Sequence, residues 1–520
     1  MKRRIVLLLF CVFTSYQATA QECSYSTYLV PALYNCFGVA ILEEEVFLRT
    51  AGLNHRSLLD YPTLSAHPPH NNDWLAQIHL FWNQTPHSCF TKQSKSIDSV
   101  LALQDPGLVT AVQEFLTAVR TKPCGDILLA SPGKDSDVFY MDVNHVFGLF
   151  SEATVEQRRI GFLAELAKNI YGWTIDLKLP VYYQERNYQL DLEKQEEIKQ
   201  TALKFFPTSS QAADDQFTAN YLISDRLGIG DTRLAIGYNL LTTKRLHMLF
   251  GGEATIPTAF SVQKGVYGST FELDAGCPDR PTIDLCEIFE LNLTAVELKD
   301  ELARNITLIG RRVLERLSEM LLEKPLGDHG HTGLGIFLEP TFTLSDTTKW
   351  YNRLAFEHIF PASEIRFILE PANLAAFAQR DFSSTDSATA ASNLRFLNAR
   401  LLDMFFPDRV HVRVQPKILF KVTSVFAYEP ENLGFNFGVD FWGHQAETIT
   451  WDREPELLQT HDLTIARRTG AFQFKVLGSF FGKLDIDDTP WKLQLSADIT
   501  PLSSGIGKDF TLSLNAQTEW

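Results

Sequence analysis

Polar and apolar residues alternate through the end of the chain. In KDFTLSLNAQTEW, Phe510, Leu512, Leu514, Ala516 and Trp520 fall on one side of an extended backbone. Thr511, Ser513, Asn515, Gln517 and Glu519 fall on the other. The same period recurs upstream. Leu433, Phe435, Phe437, Val439 and Phe441 share a face; so do Phe472, Phe474, Val476 and Phe480, and Trp491, Leu493, Leu495, Ala497 and Ile499. Val410, Val412 and Val414 run on into Ile418, Phe420 and Val422. Nearer the N-terminus, WLAQIHLFW, WTIDLKLPVYY, GDTRLAIGYNLL, RLHMLFGGEATIP and HTGLGIFLEPTFTL repeat the pattern less purely. One alternation of about ten residues arises by chance in a chain this long, but about ten of them do not. The runs are roughly 10–15 residues, longer than the ~5–6 of a globular strand and matched to a tilted bilayer crossing.

The pattern predicts about twelve strands: 74–83, 158–168, 172–185, 228–241, 244–257, 330–344, 347–360, 409–428, 432–447, 471–485, 488–500 and 507–520. A further pair within 84–151, with DVFYMDVNHVFGLF at 137–150 as the best candidate for one member, would make about fourteen, and single-chain membrane barrels have even strand numbers. Connections segregate by length. Asn169–Gly172, Leu241–Lys244, Ser345–Thr348, Glu429–Asn432 and Asp485–Thr489 are short turns. Between them lie long excursions at about 84–157, 186–227, 258–329, 361–408 and 448–469. Short turns at one end and long loops at the other are the habit of transmembrane barrels. The fold class expected is therefore an all-β transmembrane protein, a closed antiparallel up-and-down barrel with helical loop insertions. Closure leaves no backbone edge unpaired in lipid.

On these strands, and above all on a last strand that ends in an aromatic residue, the chain resembles the porin-like outer-membrane β-barrel proteins of Gram-negative-type bacteria. Phe510, Leu512, Leu514, Ala516 and Trp520 match that family's terminal strand; Thr518 is more polar than the pattern asks. The resemblance covers 74–83 and 158–520. It implies residence in the outer membrane, with its lipids and lipopolysaccharide as neighbours. It also implies that the barrel-insertion machinery reads the strand carrying Phe510, Leu512, Leu514 and Trp520. The C-terminus would then lie in the periplasm and the long loops outside.

The N-terminus adds an export signal to this picture. MKRR is basic, IVLLLFCVF is a short apolar run, and Ala18–Ala20 is a small-x-small cleavage site. The run is too short to span, and no later stretch supplies the ~18 apolar residues of a membrane helix. Residues 21–72 precede the first strand and are expected to form a periplasmic extension or a plug; 73–520 is the barrel. Removing 1–20 takes away Lys2, Arg3 and Arg4 and no acid, moving the net charge from -16 to -19. That excess of acid argues against nucleic acid as a partner. Cys23, Cys36, Cys89, Cys124, Cys277 and Cys286 remain, an even set that in an exported chain suggests disulfides, with neighbour pairing as one of the possible connectivities.

Thr294–Lys324 reads as one amphipathic helix with a Thr294/Glu297 capping box, and 109–120, 191–206 and 391–406 offer helical partners. They could form a cap at the barrel mouth or a surface decoration that packs on itself.

Catalytic chemistry finds little support. Ser88 in PHSCF lacks the glycine-flanked elbow of a hydrolase, and no Walker loop, HExxH or dinucleotide fingerprint is present. Asp328, His329 and His331 in GDHGHTG, and His67 and His70 in HPPH, could hold a metal or a base. A polar loop end is the commoner use of such residues. No enzyme, cofactor or metal is expected.

The candidate functional surface is the lumen. Read inward, the early strands offer Asp176, Lys178, Asp231, Arg233, His247 and Glu253, then Glu339, Arg353 and Glu357. The late strands add Arg413, Lys417, Lys421, Lys475, Lys483 and Lys492, a basic lean that fits a weakly anion-preferring or zwitterionic-solute pore. The expected function is passive or gated diffusion of small solutes. The rivals are a closed barrel for envelope structure or surface interaction, a barrel lipid hydrolase, and a soluble exported β protein.

Overall fold

A computed structural model describes residues 74–88, 154–189, 223–264, 326–368, 408–452, 470–486, 489–504 and 508–519, with isolated positions between them. The expected export signal, Cys23, Cys36, Cys89, Cys124, Cys277 and Cys286, residues 21–72, the 137–150 segment, the predicted Thr294–Lys324 helix and Trp520 lie outside the described residues. So do the predicted partner helices at 109–120, 191–206 and 391–406, apart from isolated positions.

Seventeen strands are described. They are β1 (Trp74–Ser88), β2 (Thr154–Ile170), β3 (Trp173–Gln189), β4 (Ile223–Ile229), β5 (Thr232–Thr242) and β6 (Leu246–Ile256). Next come β7 (Phe260–Lys264), β8 (Gly333–Ser345), β9 (Thr348–Ile359), β10 (Ala362–Ile368), β11 (Asp408–Gln415) and β12 (Lys417–Tyr428). The last are β13 (Leu433–His444), β14 (Thr448–Trp451), β15 (Ala471–Ile486), β16 (Thr489–Ser504) and β17 (Phe510–Glu519).

Twelve of them close a ring in the order β1-β2-β3-β5-β6-β8-β9-β12-β13-β15-β16-β17, and β17 returns to β1 through ten aligned pairs from Leu75↔Glu519 to Gln84↔Phe510. Every pairing is antiparallel. All twelve predicted strands are present, and the ring closes without a further pair. The tight turns sit together at one rim. The β2–β3 turn shows why: Tyr171 and Gly172 both take positive φ (50° and 87°), the type I′ geometry whose twist suits a two-residue hairpin.

Side chains are sorted inside out relative to a soluble protein. Leu80, Leu495 and Phe437 are 51%, 59% and 55% exposed, while His79 and Arg159 are fully buried. One level of the wall shows the belt directly. Phe435, Phe480, Leu495, Leu514, Leu80 and Phe162 are register neighbours across β13, β15, β16, β17, β1 and β2 and all face outward. Such a belt is stable only against acyl chains, so the barrel is transmembrane. Trp82 and Phe510 meet edge to face on this surface with ring centroids 5.2 Å apart, and Phe510, Leu512 and Leu514 all lie on the outward register of β17.

One predicted strand is corrected. Residues 409–428 are not a single ribbon. Pro416 interrupts the ladder and Lys417 takes φ 71°, which splits the run into β11 and β12 and resets its facing. Val410, Val412 and Val414 pack with Ile449, Trp451 and Leu463 as the core of a separate three-stranded sheet, β10-β11-β14. Only from Ile418 onward does the run face lipid.

That side sheet continues the wall. Strands β9, β12 and β13 are neighbours in the barrel, and β10, β11 and β14, joined to them by short breaks, keep the same order. The other side of the mouth does likewise. The upper half of β3 pairs with β4, and β4 with β7, just as its lower half pairs with β5, and β5 with β6. Two upstanding tabs of wall therefore flank the long-loop rim, with the start of β8 between them.

Candidate functional site

The interior is built by the inward register of the twelve strands, and it is densely filled. Two charged clusters dominate. Arg233 Nη2 lies 3.5 Å from Glu253 Oε1 and 3.8 Å from Glu357 Oε2. Thr255 Oγ1 donates to Glu357 Oε1 at 2.7 Å, and Arg353 reaches both Glu253 and Glu339. Next to them Lys178 Nζ stands 3.5 Å from Asp176 and 3.9 Å from Glu165. On the late strands Lys475 bridges Asp498 (3.1 Å) and Asp509 (2.9 Å), Lys421 faces Asp440 (3.6 Å) and Lys492 faces Glu429 (3.9 Å).

These contacts revise the expected basic lean. Lys421, Lys475 and Lys492 are buried, but each has a carboxylate opposite, so they do not make a positive wall. Arg413 is exposed on β11 in the side sheet, not in the barrel, because the Pro416–Lys417 break takes it out of the wall. Lys417 itself stands at that break on the rim, and Lys483 is exposed beside the β15–β16 turn. Asp231 is at the long-loop rim, between β4 and β5.

Asp231 organises the mouth. Its Oδ2 accepts from the Asp328 amide at 2.7 Å, and Gly327 packs so tightly against Asp231 and Ala259 that any side chain there would collide with them. One residue earlier, Leu326 is buried in a cluster with Phe81 of β1 and Tyr182 of β3, both on the inner face. After Asp328 the chain turns through His329 (φ 51°) and Gly330 (φ 85°), and His331 N donates back to Asp328 O at 2.9 Å. Gly330 suits this left-handed position because it has no Cβ. His331 then grips the opposite tab. Its Nε2 is 2.6 Å from Glu364 Oε1 and its Nδ1 2.8 Å from Phe360 O. His329 lies 3.5 Å from Glu364 and 2.8 Å from Arg468, while Arg366 and Arg468 both meet Glu447. Residues Leu326–His331 thus form a strap from one tab to the other, with its first side chain inside the barrel. Among the described residues no group of His, Cys, Asp and Glu fits a metal ion, and the GDHGHTG residues spend their polar atoms on this clasp.

The clasp is built to titrate. Both ring nitrogens of His331 face oxygen acceptors, an arrangement only the doubly protonated ring fills completely. Burial alone would depress that imidazolium, but the Glu364 hydrogen bond, the Asp328 carboxylate and the Phe360 carbonyl outweigh it and raise its pKa above the ordinary value of 6.5. Burial likewise opposes the Glu364 carboxylate, and Arg366, His331 and Arg468 together hold it down at about 2. The raised His331 value means its contribution is complete below 6.5 and fades as pH rises through the folded value. The lowered Glu364 value means its contribution is complete above 4.5 and is lost as pH falls toward 2. Strap protection in amide hydrogen exchange, read at His331 N and Arg468 N, is therefore expected to be highest between those limits and to weaken on either side; protection that rises steadily with pH would contradict the clasp.

A second feature lies where the ring closes. On the inner face Gln77 pairs in register with Gln517, and His79 with Asn515, with Ser513 opposite Phe81. All are at least 90% buried. Among the described residues, no hydrogen bond reaches either polar atom of the Gln77 amide, either ring nitrogen of His79, either polar atom of the Asn515 amide, Ser513 Oγ or Gln517 Oε1. The Glu165 carboxylate, 3.6 Å from His79 Nε2, is within ion-pair distance of that ring. The sequence shows these residues as the polar half of two ordinary strands. Only closure of the first strand on the last makes them one row.

No family model matches the chain, and no curated protein matches it. Among solved structures it is similar to an outer membrane channel from Pseudomonas putida F1, at 7% identity over 88% of this chain and 98% of that one, with a TM-score of 0.38. It is similar also to the P. putida toluene transporter TodX (8% identity, 91% and 96% covered, TM-score 0.29). A third is the β domain of the Bordetella autotransporter BrkA (5% identity, 86% and 100% covered, TM-score 0.29). These are distant likenesses, and the fold stands on the closed strand order of the chain itself.

Proposed function

We propose that this protein is a gated outer-membrane channel for small solutes, exported by its N-terminal signal and not a catalyst. The observation that carries the reading is the row at the β1–β17 junction. A buried polar group without a partner costs about 1–3 kcal/mol, and folded cores leave few of them. Four such side chains, Gln77, Ser513, Asn515 and Gln517, in one row around His79 are a heavy burden on a sealed core and an ordinary lining for a path that carries water and solute. The strap supplies the gate: Leu326 occupies the inner face near Phe81 and Tyr182 and is held from both tabs. Lys178, Arg233, Glu253, Arg353, Glu357, Lys421, Lys475 and Lys492 line the wall below it, with Asp231 and Glu339 at its margins.

A second reading, a closed structural barrel, is favoured by the matched ion pairs that fill the interior. Purified protein in a planar bilayer separates the two. The channel reading expects discrete conductance steps, more frequent when Glu364→Gln loosens the clasp. Silence from both proteins at every voltage and pH would leave the closed barrel.

A further inference from the structure

Taking the channel reading as given, we infer that the row formed by Gln77, His79, Ser513, Asn515 and Gln517 is a binding site for an uncharged, multiply hydrogen-bonding solute, of the hydroxylated or amide-bearing class. The geometry suits that class. Side chains on one face of a strand repeat every ~6.7 Å, so three paired levels extend over roughly 14 Å, the reach of a small solute rather than of one water. The row offers both hydrogen-bond senses, since amide N–H groups donate, amide oxygens accept, and the Ser513 hydroxyl and the His79 ring do either. A hydroxylated molecule matches such a mixed strip, because each hydroxyl also donates and accepts.

The flanks fit the same ligand. Leu163 of β2 pairs with His79 in register, and Phe81 and Tyr182 hold their rings 6.3 Å apart across Gly161. They give the strip an apolar lip against which the carbon face of a polyol can lie. Charged solutes are poorly served. The bordering charges already face partners: Glu165 with Lys178 and with His79 of the row, Lys492 with Glu429, and Lys475 with Asp498 and Asp509. An ion entering the row would shed water without finding a free countercharge.

The test is efflux from proteoliposomes preloaded with glucose, gluconate or glucosamine, which match in size and differ in charge. Glucose is expected to leave at least about tenfold faster than either ion, a preference equivalent to ~1.4 kcal/mol. In Gln77→Leu/Asn515→Leu the glucose rate should fall to that of the ions, which should change little. Asn515→Asp keeps the side-chain size, and should turn the preference toward glucosamine. Heat-modifiable migration confirms that each variant is folded. Equal efflux of all three solutes from the wild type, or an equal loss of all three in the double variant, overturns the site and leaves the channel standing. No efflux of any solute, together with no conductance, overturns both.

Discussion

Leu495→Arg is expected to destabilise the folded barrel by about 2–4 kcal/mol, the cost of a cation on the lipid face near mid-membrane. Leu495 lies between Phe480 and Leu514 in register, and all three are exposed to the surroundings of the wall. In a water-soluble protein this would be a harmless substitution, since a 59% exposed leucine gains little from burial and an arginine there would be solvated. The sign of the result therefore decides what the outer face touches. Urea unfolding in phospholipid vesicles, followed by the heat-modifiable shift on gels, measures it. Leu495→Phe serves as the control and should change stability little. Indifference to the arginine would remove the lipid belt and with it the membrane assignment.

Glu357→Ala is expected to be at least as severe, at roughly 3–5 kcal/mol, because it leaves buried charge without its counterpart. Glu357 is 1% exposed, lies 3.8 Å from Arg233 and accepts from Thr255. Its loss removes one of Arg233's carboxylate neighbours, and another, Glu253, is shared with Arg353. Arg233→Ala/Glu357→Ala should recover much of the loss, since the pair is then removed together. Urea midpoints of the two single variants and the double variant close the cycle. Additive losses would show that the cluster is open to water, where each charge is solvated on its own.

The barrel was legible because its code is local. A lipid-facing strand must place an apolar side chain at every second residue, so WLAQIHLFW or FTLSLNAQTEW announces its own facing without a partner. The short turns follow from the same count. Shorter strands carry no such signal. The Thr448–Trp451 strand spans four residues and the Phe260–Lys264 strand five, too few for a period to stand out, so both tabs went unforeseen. The Pro416 break is silent in the pattern because Val414 and Ile418 fall on the same parity, and a proline between them alters facing without altering the count. Inner-wall rings such as Phe81, Tyr182 and Trp442 sit on the inward parity, where the alternation predicts polar residues. A signal was available in LFW, VYY and DFWG, where both parities are apolar.

The site was less legible than the fold for a physical reason. Charge type could be read, but charge balance depends on cross-strand neighbours far apart in sequence, as with Glu253 and Arg353. The lysines of the late strands looked like a positive wall until register set carboxylates opposite them. The strap residues in GDHGHTG looked like a loop end, and only the position of the side sheet turned His331 into a clasp.

The two tabs carry a consequence for assembly. The strands of the side sheet come from two connections, β10 and β11 from the one between β9 and β12 and β14 from the one that follows β13, and they acquire common neighbours only once β9, β12 and β13 stand side by side. Their valine core cannot form beforehand. The side sheet therefore waits on those three strands, and the long-loop rim takes its final form only after that stretch of wall stands.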